Sequence, residues 1–337
     1  MNFLKKLVDK IFKINFNDII SFDFPENELC GLEILLNNVK YEFLVKKSNK
    51  SDKIICFGGR GGVDQSKRKL PDFPRHSWRN NFVESLIYYA DPTFHVNKEI
   101  RNGWYMGTKD DWYLEKIALI LEEIEKNFKI KNENTLFYGT SAGGYSSLVL
   151  ATLIKGSTAL VGNAQIIISN HYKGHYNTLK KYCFDDLDEK TLLKKYGYRL
   201  NLLELFKREN YVPHFTYFVN VESKIDLNKH CFPLMRGLQE LPNFNGNDVE
   251  IILYHDERGH TARNERELAI PLIKLYLDRK VYNYYEDATI LNKALISFDF
   301  ENKDKIIIEQ QRTIEKLKSK RIFKIENKVN SFFKKIF

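Results

Sequence analysis

The chain has 337 residues, 43% of them hydrophobic, which is enough to bury the core of one large α/β domain. Lys and Arg outnumber Asp and Glu by 53 to 44, but the central part of the chain has no basic stripe interleaved with aromatic residues, so we do not expect nucleic acid as a partner. We expect a cytoplasmic protein with reduced thiols, since the sequence shows no signal-peptide pattern, no apolar run of membrane-spanning length and no paired cysteine spacing.

The predicted elements begin with a basic amphipathic segment over residues 1–29. On a helix, Phe3, Leu4, Leu7 and Ile11 would share one face, with lysines around it. Such a helix suits docking on a protein surface, and it also suits insertion at an anionic membrane surface. The sequence leaves both interpretations open.

The central domain is predicted over residues 30–280 and begins with a β-hairpin. Two apolar runs, 32–36 and 40–45, are joined by Asn37 and Asn38, which is typical of a tight hairpin turn. Six further strands are predicted at 54–57, 82–89, 135–138, 158–161, 216–221 and 250–254. Helices are predicted at 111–128, 143–154, 232–240 and 263–277. Alternating strands and helices at this spacing predict a doubly wound, mostly parallel α/β sheet.

Two helical segments complete the predicted architecture. Residues 171–211 are charged and aromatic, and we expect them to form a cap over the site. Residues 281–337 are predicted to be a helical, basic tail. The end of this tail repeats the amphipathic pattern of the N-terminus, with lysines beside Phe332, Phe333 and Phe337.

The most informative motif is Gly-Thr-Ser-Ala-Gly-Gly at residues 139–144. It follows a predicted strand and precedes a predicted helix, as a nucleophile elbow requires. In such a turn the serine side chain stands clear of the sheet, and the N-terminus of the helix directs N–H groups toward developing negative charge. Ser141 is therefore the predicted nucleophile.

The predicted acid and base follow the next two strands. Asp226 lies in a polar loop after the strand at 216–221, and His260 lies in a loop after the strand at 250–254. Glu222 is an alternative acid and His255 an alternative base, but both lie close to a strand end. The longer loop positions of Asp226 and His260 favour them, because the base must reach the serine and the acid must reach the base.

The predicted oxyanion hole combines two backbone segments. Gly-Gly-Arg-Gly-Gly at 58–62 directly follows the strand at 54–57. We expect one N–H donor near Gly59 or Arg60 and a second at Ala142, the residue after the nucleophile. A phosphate-binding loop is disfavoured, because neither a Gly-Lys-Ser/Thr ending nor a Gly-x-Gly-x-x-Gly pattern is present.

Aromatic and polar residues in nearby loops are candidates for substrate contact. Trp104 and Tyr105 lie in a glycine-flanked loop, and Asn163 and Gln165 follow the strand after the elbow helix. His230 is a further candidate at the start of a predicted helix. Aromatic rings beside amides suit sugars, which offer one face for stacking and hydroxyls for hydrogen bonding.

The motif at 139–144, with Asp226 and Gly259-His260 after it, resembles the serine α/β-hydrolase superfamily over residues 54–277. Shorter stretches, Asp91-Pro-Thr, Gly103-Trp-Tyr and Asn163-Ala-Gln165, resemble bacterial capsular-polysaccharide biosynthesis proteins of the α/β-hydrolase type. Some relatives of that kind are sugar O-acetyltransferases that use acetyl-coenzyme A. The resemblance implies an α/β-hydrolase-like sheet, and the N-terminal hairpin and the C-terminal tail lie outside it.

These observations favour serine-dependent acyl transfer through an acyl-Ser141 intermediate. The resemblance implies a capsular or surface saccharide or polysaccharide as acceptor and acetyl-coenzyme A as donor, with no bound cofactor and no metal. It also implies a place at the inner membrane surface or in a capsule assembly complex. Two alternatives remain, namely an esterase of the same fold and a non-catalytic scaffold of a polysaccharide assembly complex.

Overall fold

The computed structural model describes residues 3–59, 61, 69–242, 244–261, 266–278 and 312. The chain divides into two compact units, residues 1–277 and 278–337. The predicted tail, apart from Arg312, lies outside the described residues. No helix in the described ranges is both long and apolar enough to cross a membrane.

Nine strands in the described part of the chain form one sheet, in the order β1-β2-β3-β5-β4-β6-β7-β8-β9. The antiparallel pairs are β2 with β3 and β3 with β5, and the other neighbours are parallel. The doubly wound, mostly parallel sheet predicted from the sequence is thus confirmed. The strands are β1 Ile11–Asn15, β2 Leu29–Leu36, β3 Val39–Lys46, β4 Ile54–Phe57, β5 Ser85–Tyr89, β6 Thr135–Thr140, β7 Thr158–Gly162, β8 His214–Asn220 and β9 Val249–Tyr254.

The predicted N-terminal hairpin is also confirmed. Its turn residues Asn37 and Asn38 have φ angles of 50° and 61°. A two-residue turn with positive φ at both positions has a backbone twist that matches the right-handed twist of the paired strands. Asparagine tolerates positive φ better than most residues.

The helices cover both faces of the sheet. Ile54 and Cys56 of β4 contribute to the apolar core that contains α1 and α2, whereas Ile55 and Phe57 contribute to the core that contains α7. This alternation follows from the two-residue period of a strand. The helices are α1 Tyr113–Phe128, α2 Ala142–Leu153, α3 Lys173–Cys183, α4 Glu189–Leu200, α5 Leu202–Glu209, α6 Phe232–Gln239 and α7 Arg266–Asp278.

The N-terminal segment differs from the predicted amphipathic helix. Residues Phe3–Lys6 form a single 3₁₀ turn, and β1 pairs in parallel with β2, with Ile11 opposite Gly31. Leu4 is fully buried. The apolar residues of this short segment fit a two-residue period as well as a helical one, and pairing with β2 satisfies the backbone of residues 11–15. The predicted continuous helical face is therefore wrong.

The strand predicted at 82–89 is shorter than expected. It begins at Ser85, and residues His76–Asn81 form a 3₁₀ helix before it. Phe82 packs its ring against Phe57 at 5.9 Å between centroids instead of extending the strand. Packing at the end of β4 thus takes the place of sheet pairing.

Residues 171–211, the predicted cap, contain the three helices α3, α4 and α5. Their apolar residues, including Leu179, Leu192 and Phe206, are buried in the same core as α1 and α2. The Tyr145 hydroxyl of α2 donates a hydrogen bond to the carbonyl oxygen of Arg199. These helices are consequently anchored to the helix that begins at the elbow.

Candidate active site

Ser141 lies in the turn between β6 and α2. Its φ and ψ angles are 55° and −122°, a combination that non-glycine residues rarely adopt. A side chain at Gly139 would place its Cβ 2.1 Å from the carbonyl oxygen of Gly143, and one at Gly143 would lie 2.3 Å from the carbonyl oxygen of Gly59. Both glycines are therefore required by close backbone packing, as the elbow motif predicted.

Ser141, His260 and Asp226 lie in hydrogen-bonding contact in one line. His260 Nε2 is 3.0 Å from Ser141 Oγ, and His260 Nδ1 is 2.6 Å from Asp226 Oδ2. The carboxylate can only accept, so Nδ1 carries the proton and Nε2 is free to accept the serine proton. The arrangement can remove a proton from Ser141 and stabilise the imidazolium that results.

The acid and the base differ strongly in exposure. The side chain of Asp226 is 2% exposed, whereas that of His260 is 42% exposed. Asp226 also accepts a hydrogen bond from the Ser223 hydroxyl, which was not predicted from the sequence. A buried carboxylate with two donors is fixed in orientation, while the imidazole remains open to a substrate.

The alternative acid and base pair with each other instead. His255 Nε2 lies 3.0 Å from a carboxylate oxygen of Glu222, and the two side chains are 63% and 48% exposed. They form an ion pair on the surface when His255 is protonated. The structure brings Asp226 and His260, and not Glu222 and His255, to Ser141.

Two asparagines hold the loop that carries His260. The Asn163 side chain donates to the carbonyl oxygen of His260 at 2.9 Å and accepts from the backbone N–H of Asn220. The Asn220 side chain donates to the carbonyl oxygens of Asp256 and Gly259 at 2.6 and 2.8 Å. The ends of β7 and β8 thereby fix the loop after β9.

The predicted oxyanion loop contacts the elbow, but one predicted donor is already occupied. The backbone N–H of Gly59 donates to the Tyr105 hydroxyl at 2.6 Å, and that hydroxyl donates to the carbonyl oxygen of Tyr89 at 3.1 Å. This contradicts the prediction of Gly59 as an oxyanion donor. Arg60 lies outside the described residues. Ala142 is the first residue of α2, and its N–H has no acceptor within the helix.

Arg75 holds this loop and was not predicted from the sequence. Its guanidinium donates to the carbonyl oxygen of Gly58 at 3.1 Å and to the Thr140 hydroxyl at 2.7 Å. The same group lies 5.2 Å from the ring centre of Tyr138. A buried arginine with two acceptors and an aromatic neighbour ties the loop after β4 to the end of β6.

No protein-family model matches the chain, and no curated protein matches it by sequence. Solved structures do match. The capsule O-acetyltransferase of Neisseria meningitidis serogroup A has a TM-score of 0.54 at 15% identity, over 72% of this chain and 96% of that chain. The S-formylglutathione hydrolase of Agrobacterium tumefaciens has a TM-score of 0.51 at 12% identity, over 76% and 97% of the two chains.

The chain has the α/β-hydrolase fold. A component of the glycosylation-associated Gap123 complex of Streptococcus agalactiae is also similar, with a TM-score of 0.52 at 12% identity, but the match covers only 45% of that chain. A mutant of the capsule enzyme has additionally been solved in complex with CoA. At these identities the similarity establishes the fold alone.

The five residues predicted to contact substrate are all buried. Trp104 and Tyr105 have left-handed φ angles of 47° and 56°, as does Asn163 at 43°. Left-handed non-glycine residues cost free energy and concentrate at functional sites. Trp104, Tyr105, Asn163 and Gln165 are each no more than 2% exposed. Their side chains are therefore enclosed by the protein and do not form the exposed surface of the site.

Gln165 makes the most direct contact with the nucleophile. Its Nε2 lies 3.1 Å from Ser141 Oγ and 3.2 Å from Nδ1 of His171. Its Oε1 accepts a hydrogen bond from Trp104 Nε1. Among the predicted pocket residues, Gln165 is thus the one that touches the predicted nucleophile.

His230 has a structural role in the conformation described. It is fully buried, and its Nδ1 accepts a hydrogen bond from the backbone N–H of Ile166 at 3.1 Å. Burial lowers the pKa of His230 to about 3, so the ring stays neutral. This position contradicts the prediction of direct substrate contact, and His230 instead fixes the backbone next to Gln165.

His171 and Tyr172 lie near the site and were not singled out from the sequence. Burial and the neighbouring His175 and His260 lower the pKa of His171 to about 4. Tyr172 is 59% exposed, and its ring centre lies 4.7 Å from that of His171. The available signal was their position just after Gln165 in the chain. They give the site a neutral imidazole and an open aromatic face.

Proposed function

We propose that the protein is a serine-dependent acyltransferase that works through an acyl-Ser141 intermediate. The observation that carries this proposal is the hydrogen-bonded line from Ser141 Oγ to His260 Nε2 at 3.0 Å and from His260 Nδ1 to Asp226 at 2.6 Å. The strained backbone at Ser141 and the Ala142 N–H at the start of α2 support the same chemistry.

In the first half-reaction, Ser141 Oγ attacks the acyl carbon while its proton passes to His260 Nε2. Asp226 stabilises the imidazolium, and the Ala142 N–H stabilises the oxyanion. The imidazolium then protonates the leaving group. In the second half-reaction the acceptor hydroxyl gives its proton to His260 and attacks the acyl-serine. His260 then returns that proton to Ser141 Oγ as the bond between Oγ and the acyl carbon breaks.

For the acceptor we propose a saccharide hydroxyl of a capsular or surface polysaccharide, and for the donor acetyl-coenzyme A. The fold similarity to a capsule O-acetyltransferase supports this choice. So does the chemistry around Gln165, because the neutral His171 suits a hydroxyl group and the exposed ring of Tyr172 suits stacking on a sugar.

The first experiment is active-site labelling with a fluorophosphonate probe. The wild type should be labelled, and Ser141→Ala should not be. Ser147→Ala is a matched control, since Ser147 is buried in α2, six residues after Ser141, and should leave labelling intact. Labelling of Ser141→Ala at the wild-type rate would contradict the proposed nucleophile.

The second experiment identifies the acceptor. The protein is incubated with acetyl-coenzyme A and a panel of bacterial capsular oligosaccharides, and mass spectrometry measures a mass increase of one acetyl group on the sugar. The transferase predicts acetylated sugar that is absent with Ser141→Ala. Free acetate as the sole product would contradict the transferase.

Esterase activity is the second candidate, and the exposure of His260 favours it. A base that is 42% exposed lets water reach the acyl-enzyme, and water then competes with the sugar as acceptor. The ratio of acetylated sugar to free acetate in the same incubation measures this competition directly.

We further propose peripheral association with an anionic membrane surface through the tail. The N-terminal segment is less suited to membrane binding than its sequence suggested, because Leu4 is buried and Ile11 lies in β1. The basic and aromatic residues of 318–337 lie outside the described residues and support the proposal by sequence alone. Flotation with anionic liposomes should be lost at high salt and in the variant K320E/R321E/K334E/K335E. Equal flotation of both proteins would contradict it.

A further inference from the structure

The amide orientation of Gln165 is fixed by its neighbours. The indole nitrogen of Trp104 can only donate a hydrogen bond, so the atom that it contacts must be the amide oxygen. The amide nitrogen therefore faces Ser141 Oγ, at 3.1 Å. Oxygen and nitrogen of a glutamine are often hard to assign, but here the donor-only indole decides the assignment.

The hydrogen bonds around Ser141 consequently run in one direction. Trp104 donates to Gln165, Gln165 donates to Ser141 Oγ, and the serine proton is left to bond with His260 Nε2. The line ends at Asp226, which accepts from His260. A serine that receives a donor on one side presents its own proton to the base on the other.

Gln165 is also held rigidly. It is 1% exposed, and its backbone N–H donates to the carbonyl oxygen of Ser141 at 3.2 Å. The next residue, Ile166, is bonded to the buried His230. A donor that is fixed before reaction needs little reorganisation when charge develops, which is the condition for strong electrostatic stabilisation.

In the described part of the loop after β4, the expected oxyanion donor at Gly59 already has a hydrogen-bond partner. The N–H of Gly59 is bonded to Tyr105, which is itself buried and bonded to Tyr89. We propose that the side-chain amide of Gln165 serves as an oxyanion donor, with the Ala142 N–H as its backbone partner. This inference rests on the proposed acyl-Ser141 chemistry and adds a catalytic residue to it.

The step that Gln165 assists is the formation of the tetrahedral intermediate. Ser141 Oγ forms a bond to the acyl carbon and its proton passes to His260, while the carbonyl π pair moves to the acyl oxygen. That oxygen is joined to the carbon now bonded to Oγ, so an amide already at hydrogen-bonding distance from Oγ needs only a small tilt to reach it. When the intermediate collapses, the electron pair returns, the leaving group departs and His260 protonates it.

The test compares 4-nitrophenyl acetate with its thionoacetate analogue, in which sulfur replaces the carbonyl oxygen. Sulfur accepts hydrogen bonds poorly, so a residue that binds the oxyanion contributes more with the oxygen substrate than with the sulfur substrate. Gln165→Glu keeps the shape and the acceptor for Trp104 but removes the donor. We expect kcat for the oxygen ester to fall by about 100- to 1,000-fold, with KM little changed. The thionoester rate should fall much less.

Controls separate this role from structure and from the basic mechanism. Gln239→Glu makes the same change at an exposed position and should leave both rates unchanged. Gln165→Asn withdraws the amide by one methylene and should show the same loss of oxygen preference, which covers the case that Gln165→Glu does not fold. Equal losses with both substrates, or no loss, would overturn the oxyanion role. Failure of the proposed function itself would appear instead as equal rates of ester cleavage by the wild type and by Ser141→Ala.

Discussion

Asn163 donates its side-chain amide to the carbonyl oxygen of His260 at 2.9 Å, and thus joins the end of β7 to the loop of the proposed base. The same side chain accepts from Asn220 at the end of β8. Three consecutive parallel strands therefore meet at one residue beside Ser141. The orientation of His260 depends on this residue as well as on Asp226.

Removing the Asn163 amide should misplace His260. We expect Asn163→Ala and Asn163→Gly each to lower kcat for ester cleavage by about 10- to 100-fold, because a small displacement of a catalytic group is enough to produce such losses. Since φ of Asn163 is 43°, the glycine variant should be about 1 kcal/mol more stable than the alanine variant in urea unfolding. Wild-type kcat in both variants would show that the contact does not position the base.

The choice of acid can be tested with paired substitutions. Asp226→Asn should lower kcat by about 10⁴-fold, because the amide favours the wrong imidazole tautomer. Glu222→Gln makes the same chemical change in the surface pair with His255 and should have little effect, and so should His255→Asn. Comparable losses in Asp226→Asn and Glu222→Gln would contradict the assignment of Asp226.

The elements that were predicted correctly carry their signals in a few neighbouring residues. Asn37 and Asn38 specify a tight turn by their own conformational preference. The elbow is similar, because Gly139 and Gly143 are required within a short segment around Ser141. Local sterics of this kind can be read from the sequence without knowing the rest of the fold.

The features that were missed depend on contacts between distant parts of the chain. Tyr105 reaches Gly59 across 46 positions, and Arg75 reaches Thr140 across 65. No pattern in the sequence indicates that a tyrosine hydroxyl accepts the hydrogen bond of the Gly59 N–H, one of the expected oxyanion donors. The N-terminal strand was missed for a different reason, since its few apolar residues fit two periodicities and only its pairing with β2 decides between them.

The hydroxyl of Tyr105 should contribute to stability more than to catalysis. Tyr105→Phe leaves the Gly59 N–H and the Tyr89 carbonyl without this partner, so we expect the free energy of unfolding to fall by about 1–3 kcal/mol. Arg75 still holds Gly58, so kcat should change little. Urea unfolding and steady-state kinetics on the same preparation measure both effects. A large loss of kcat at unchanged stability would instead place the Tyr105 hydroxyl in the reaction.

The buried Glu125 should make stability depend on pH. It is 2% exposed, and burial raises its pKa from 4.5 to about 7, against a smaller opposing effect of the hydrogen bond from Thr135. Because the folded state holds this proton more tightly than the unfolded state, the protonated carboxyl stabilises the fold fully below about pH 4.5. That contribution, about 3 kcal/mol, should be lost as the pH rises toward about 7.

Glu125→Gln should remove this part of the pH dependence in urea unfolding between pH 4.5 and 8. Glu133→Gln makes the same charge change at a side chain that is 68% exposed and should keep the wild-type profile. Parallel profiles for Glu125→Gln and the wild type would show that Glu125 is not the group responsible.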